Sequence, residues 1–178
     1  MTANIFSVHD LLFDIAARIP TAKDLSSLSR CNRTLHSAAL PHLYRDVEFS
    51  IYKVDSLAAA LRSDNALAQY CRKLTMDCKG TPVSKEQEHA LASCPIGGLT
   101  EEHERILSKT VEDLIFVMTI CLERGKVKDL TWDNTSHRYK DFIRIWERLS
   151  PSNLTLKRLR INGFGDEGFY YKILVSSL

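Results

Sequence analysis

Residues 8–47 run VHDLLFDIAARIPTAKDLSSLSRCNRTLHSAALPHLYRDV, three helix-length segments with almost no chain between them. In the first, Leu11, Leu12, Ile15 and Ile19 fall at the three- and four-residue steps that share one helical face. Pro20 and Thr21 end it, since proline cannot continue the helical hydrogen bonds. Asp24 then suits the N-cap of a second helix carrying Leu25 and Leu28. Arg30 to Leu40 forms a third, with Cys31, Leu35, Ala38 and Ala39 on its apolar side, stopped by Pro41-His42-Leu43-Tyr44. Three helices this short cannot bury all of these apolar faces on one another. The remainder must meet the next segment of the chain or a partner, so residues 1–47 read as a docking module rather than a catalytic one.

Length and composition set the frame. A chain of 178 residues is one domain or two small ones, long enough for a real core. Apolar residues at 44% and charged ones at 26% argue against both disorder and a membrane protein. The longest apolar run, Leu114 to Leu122, is about half a membrane span and is flanked by acids, so it belongs in a core. Asp10 and Asp14 interrupt the N-terminal apolar residues, and no signal peptide is read there. A net charge of +2 argues neither for nor against a polyanionic partner. Five cysteines, an odd number without a secretion signal, read as reduced and mostly buried thiols. The expected placement is intracellular, in cytoplasm or nucleus.

Beyond the helices the sequence alternates. Tyr44, Val47, Phe49 and Ile51, with polar residues between, predict a short strand, and Val54 to Leu67 a helix with Leu57, Ala58, Ala60 and Leu61 inward. A pattern then recurs: Cys71-Arg-Lys-Leu74-Thr-Met76-Asp-Cys78, Val127-Lys-Asp-Leu130-Thr-Trp132-Asp-Asn134 and Leu156-Lys-Arg-Leu159-Arg-Ile161-Asn-Gly163. The Leu-x-apolar step predicts three strands with one buried face. Their anchor leucines lie 56 positions (74 to 130) and 29 positions (130 to 159) apart. The shorter figure is at the long end of leucine-rich-repeat spacing, and the longer is about double. The longer interval holds a predicted helix, Glu101 to Arg124, and the Pro/Gly-rich piece Cys94-Pro-Ile-Gly-Gly. Another helix is expected over Tyr139 to Leu149, with Phe142, Ile145, Trp146 and Leu149 on one side. Helical crossovers between strands imply parallel pairing, with Leu74, Met76, Leu130, Trp132, Leu159 and Ile161 as one buried row.

Two family resemblances carry these patterns further. The order Leu11-Leu12, Asp24-Leu25, Ser29-Arg30-Cys31 and Pro41-His42-Leu43-Tyr44 resembles an F-box of the kind common in fungal proteins. The match covers about forty residues; Ser7 and Val8 stand where the family usually opens with Leu-Pro. The resemblance implies a non-catalytic subunit that docks on a Skp-type adaptor, and through it on a cullin ubiquitin ligase (SCF). The implied adaptor-facing residues are Val8, Leu11, Leu12, Ile15, Ile19, Pro20, Leu25, Leu28, Cys31 and Leu35. Residues 48–178 resemble the short, degenerate leucine-rich-repeat-like region that follows many fungal F-boxes. The expected class is therefore α+β or α/β: a three-helix module, then an irregular solenoid with parallel strands. A protein destined for ubiquitylation is the implied ligand of that body. On each Leu-x-apolar strand the intervening residues point away from the core, which makes Thr75, Asp77, Thr131, Asp133, Arg160 and Asn162 the expected substrate face. Tyr170 to Leu178 is the expected cap on the open edge.

Rival chemistry is thinner. Cys71, Cys78, His89, Cys94 and His103 are zinc-compatible, but no two sit at the close spacing that structural zinc prefers, and the strand pattern claims Cys71 and Cys78 as core. Residues 71–103 with the basic strand 157–160 form the alternative reading, a small metal-binding or nucleic-acid-contacting protein. No Gly-x-Ser-x-Gly elbow or cysteine-protease signature is present. Asn162-Gly-Phe-Gly-Asp-Glu-Gly168 lacks the Lys-Ser/Thr of a phosphate loop, so a turn is expected there. Lys157, Arg158 and Arg160 read as a solvated face rather than a nucleic-acid contact. Neither a cofactor, a metal nor a membrane is expected as a partner.

Overall fold

The computed structural model describes residues 8–77, 84–91, 100–133 and 156–162. The architecture is mixed: helices α1 (Val8–Ala17), α2 (Ala22–Ser29) and α3 (Arg33–Leu43) come first. Then follow β1 (Asp46–Ser50), α4 (Val54–Ser63), β2 (Lys73–Asp77), α5 (Lys85–Leu91), α6 (Glu101–Arg124), β3 (Asp129–Asp133) and β4 (Arg158–Asn162). Short 3-10 turns at Ile51–Lys53 and Asn65–Tyr70 flank α4.

The four strands form one sheet in the order β1-β2-β3-β4, every pair parallel. Register follows the repeated sequence without offset. Val47, Leu74, Leu130 and Leu159 share one rung, and Phe49, Met76, Trp132 and Ile161 another. Three residues earlier, Cys71, Val127 and Leu156 are also buried. Phe49, Leu74, Met76, Leu130, Trp132 and Leu159 of these rows pack with Ala58 and Leu61 of α4 and Leu114, Val117, Met118 and Cys121 of α6 in one core. The strand read over residues 44–51 is thus a fourth member of the same ladder, spelled Tyr44-x-x-Val47-x-Phe49.

Local chemistry sets the helix ends, and several differ from the sequence reading. The N-cap of α2 is Thr21, whose Oγ1 accepts from the Asp24 backbone N–H at 3.1 Å and donates to Asp24 Oδ2 at 2.7 Å. Asp24 therefore sits in the first turn, where a carboxylate favours the helix dipole. Asn32 caps α3 by accepting from the Leu35 N–H at 2.9 Å, so the helix starts at Arg33 rather than Arg30. It also runs through Pro41 to Leu43, with Tyr44 N–H closing the last turn on Leu40 O at 3.0 Å. Proline's loss of one bond is tolerated there because Leu40 and Leu43 pack into the two cores. The α4 helix stops at Ser63, since Asp64 caps the following 3-10 turn through Ala66 N–H at 3.0 Å. Helix α6 spans Glu101–Arg124 as the sequence predicts, opened by a reciprocal Thr100–His103 capping box. Helix α5 is an addition that the periodicity did not reveal; Gln87 Nε2 ties it to Tyr52 O at 3.0 Å.

The expected helix over residues 139–149, the turn over 163–168 and the cap over 170–178 lie outside the described residues. No helix among the described residues is long and apolar enough to cross a membrane.

Two substitutions probe this packing. Trp132 is 3% exposed at the centre of the sheet. Trp132→Ala should cost about 3–5 kcal/mol in chemical denaturation. Gly125 leaves α6 under the carbonyls of Cys121 and Ala68, and an added Cβ would fall on the Cys121 oxygen. Its φ of −74° suits any residue, so the penalty of Gly125→Ala is purely steric. It should destabilise by about 1–3 kcal/mol, measured the same way.

Candidate functional site

The first surface with the shape of a site is the outer face of α1. Val8 is 74% exposed, Leu11 59% and Ile15 46%, the large apolar side chains that stand furthest out of the described structure. Their spacing of three and four residues makes one stripe along the helix. Beneath it, Ala16, Leu25 and Ala39 are buried and Ile19, Leu28 and Leu43 pack around them. The ten residues implied as adaptor-facing therefore divide. Val8, Leu11, Ile15, Pro20 and Cys31 are exposed, and Leu12, Ile19, Leu28 and Leu35 are half-buried. Leu25 is buried at 6% and holds the three helices together instead of facing outward. Phe13, which the sequence reading passed over, is 37% exposed and lies with its ring 4.4 Å from that of His42.

The second surface is the outward face of the sheet. Successive rungs carry Asp46-Lys73-Asp129-Arg158, Glu48-Thr75-Thr131-Arg160 and Ser50-Asp77-Asp133-Asn162. All twelve are polar, so the alternation that buries the leucines leaves a fully hydrophilic face. The register brings together the six expected substrate-face positions, Thr75 with Thr131 and Arg160, and Asp77 with Asp133 and Asn162. Thr75, Asp77, Thr131 and Asp133 are half-buried and Arg160 is exposed. Opposite charges alternate on the first rung, where Arg158 Nε lies 3.4 Å from Asp129 Oδ1.

The buried carboxylate of the fold is paired. Asp113, 2% exposed on α6, pairs with Arg62 of α4 at 2.6 Å, and the Arg62 guanidinium lies 4.7 Å from the centre of the Phe116 ring. This pair joins two helices across the core. Of the zinc-compatible residues, Cys71 is in the core and His103 closes the α6 capping box. Cys78, Cys94 and the His89 side chain lie outside what is described. Among the described residues no three His, Cys, Asp or Glu side chains are grouped to hold a metal ion. Contact with Cys71, reinforced by burial, pushes the Cys121 thiol well above its ordinary range.

Burial sets the order of reactivity, since Cys71 and Cys121 are buried and Cys31 is exposed. A thiol with a raised pKa stays protonated at neutral pH, and the thiolate is the nucleophile. Of Cys31, Cys71 and Cys121, only the exposed Cys31 should be alkylated by iodoacetamide in native protein at pH 7.5, the other two reacting after denaturation; peptide mass spectrometry reads this directly. Compared with known proteins, the chain matches no family model and no curated entry.

Proposed function

We propose that the chain is a non-catalytic substrate-recognition subunit of a cullin-type (SCF) ubiquitin ligase. The three-helix module docks as an F-box on a Skp-type adaptor, and the body presents a protein substrate. The observation that carries the reading is the stripe of Val8, Leu11 and Ile15, exposed on a module whose own core is already closed by Ala16, Leu25 and Ala39. Apolar side chains at i, i+3 and i+7 are the anchors by which a helix enters a partner's groove. Exposed apolar stripes of this kind mark interaction sites.

The body supports a leucine-rich-repeat-like solenoid through its geometry. Parallel sheets normally have apolar residues on both faces. Here one face is apolar on its rungs and the other polar at all twelve positions, the division that stacked repeats adopt when one face is kept for binding. Thr75, Asp77, Thr131, Asp133, Arg160 and Asn162 form that surface, and its mixed acid, base and amide content suits a polar protein ligand.

Co-expression with a Skp-type adaptor tests the docking. Leu11→Lys combined with Ile15→Lys should lower adaptor capture at least about tenfold. The substitutions sit on exposed positions, so stability should change by no more than about 0.5 kcal/mol each. Equal capture by a folded double variant removes the docking reading. In the same experiment Asp133→Lys with Arg160→Glu should keep the adaptor and change the co-purifying proteins; an unchanged set removes the substrate face.

A further inference from the structure

Each of the four strands is preceded by a basic residue: Arg45 before β1, Arg72 before β2, Lys128 before β3 and Lys157 before β4. The ladder extends through them. Arg72 N–H donates to Arg45 O, Lys128 N–H to Arg72 O and Lys157 N–H to Lys128 O, each at 2.8 Å. Four cations are thus held in one row at the inter-strand spacing of about 4.8 Å. Like charges set side by side across strands are destabilising. Arg45, Lys128 and Lys157 are exposed.

Arg45, Arg72 and Lys128 of this row line a cleft of about 580 Å³ between the sheet's N-terminal edge and helices α1 and α3. That volume lies within the range of ligand sites. Arg45, Arg72, Lys73 and Lys128 supply charge on one side, while Phe13, Pro41 and Tyr70 supply apolar surface. Arg72 is fixed in place, its Nη1 donating to Gln69 O at 2.7 Å and Cys71 O at 3.0 Å. His42 also lines the cleft, and its Nε2 is buried with no hydrogen-bond partner among the described residues. A buried polar atom left in that state is the exception in folded proteins.

We propose that this cleft binds a short acidic peptide segment in extended conformation, its carboxylates on Arg45, Arg72 and Lys128 and its side chains against Phe13 and Tyr70. The dimensions agree. Two gaps of about 4.8 Å, from Arg45 to Lys128, span about 10 Å, the reach of about three extended residues. Asp46 and Asp129 also line the cleft, and Asp129 is engaged by Arg158 at 3.4 Å. A continuous polyanion such as a nucleic-acid backbone would meet both carboxylates. A peptide places its charges at intervals and avoids them. The site does not include Val8, Leu11 or Ile15, so it stands whether or not that stripe docks on an adaptor.

The test uses the full chain and a fluorescein-labelled pentapeptide of alternating Glu and Tyr, read by fluorescence anisotropy. Saturable binding is expected, weakened at least about tenfold by Arg45→Glu with Lys128→Glu. It should also weaken between about 50 mM and 500 mM salt, and be unchanged by Lys23→Glu on α2. Should the charge-reversed protein fail to fold, Arg45→Gln with Lys128→Gln gives the same comparison without new repulsion. The matching Lys and Tyr pentapeptide should not bind. The proposal is overturned by the absence of saturable binding, or by equal affinity in the folded variants. It is overturned equally if a single-stranded oligonucleotide or inorganic phosphate displaces the peptide at comparable concentration, since the site then takes any anion.

Discussion

Parallel, unshifted pairing of the four strands is the constraint from which the other features follow. Parallel neighbours cannot be joined by a tight turn, so each needs a crossover long enough to return to the starting edge. The α4 segment supplies the first and α5 with α6 the second. Those crossovers bury the sheet's apolar face, where Leu74, Met76 and Leu130 reach zero exposure. A shift of one residue in any strand would turn its anchor residue, Val47, Leu74, Leu130 or Leu159, outward and bring a polar neighbour into the core. The repeated Leu-x-apolar step therefore specifies the register as well as the strands.

The same ladder distributes charge. In-register repeats stack equivalent positions, so a polar residue at one point of the pattern becomes a row across the sheet. The residues before the strands become a basic edge, Arg45, Arg72, Lys128 and Lys157. The last outward rung carries Asp77 and Asp133 side by side. The sheet is consequently polarised along its strands, positive where they begin and negative where β2 and β3 end. A peptide lying on either surface would meet a field of fixed direction, and electrostatics of that kind govern orientation and encounter rate more than final affinity.

Much of this architecture is legible in the amino-acid order. The three strand copies, their alignment and the full extent of α6 follow from apolar periodicity and from the acids and bases at the helix ends. What escaped detection has physical causes. The β1 copy reads Tyr44-Arg-Asp-Val47-Glu-Phe49, with no leucine anchor, so its equivalence to the others is visible only as register. Thr21 and Asp24 are both good cap residues, and the choice between them depends on backbone angles that composition does not encode. Of the implied docking residues, Val8, Leu11 and Ile15 share their periodicity with Leu12 and Ile19, and only packing separates the outward stripe from the half-buried one. The basic cleft is built from residues 13 to 129, far apart in sequence, and no local pattern points to it.

Energetics tie the helical module to the sheet. Its private core contains Ala16, Leu25 and Ala39, two methyl groups and one leucine, with Ile19, Leu28 and Leu43 only partly buried. Full burial of a leucine contributes about 1.5–3 kcal/mol, whereas fixing one residue's backbone costs about 1–2 kcal/mol. A core that small cannot hold three helices in place by itself. The deficit is met at the end of α3, where Leu40 and Tyr44 leave the module and pack into the sheet core. Tyr44 records that position in its phenol, whose pKa burial, assisted by the nearby Asp64 charge, holds above its ordinary value. The α1 stripe is thus presented on a platform whose rigidity comes from the ladder beneath it. Any change that loosens β1 would blur the stripe without touching one of its residues.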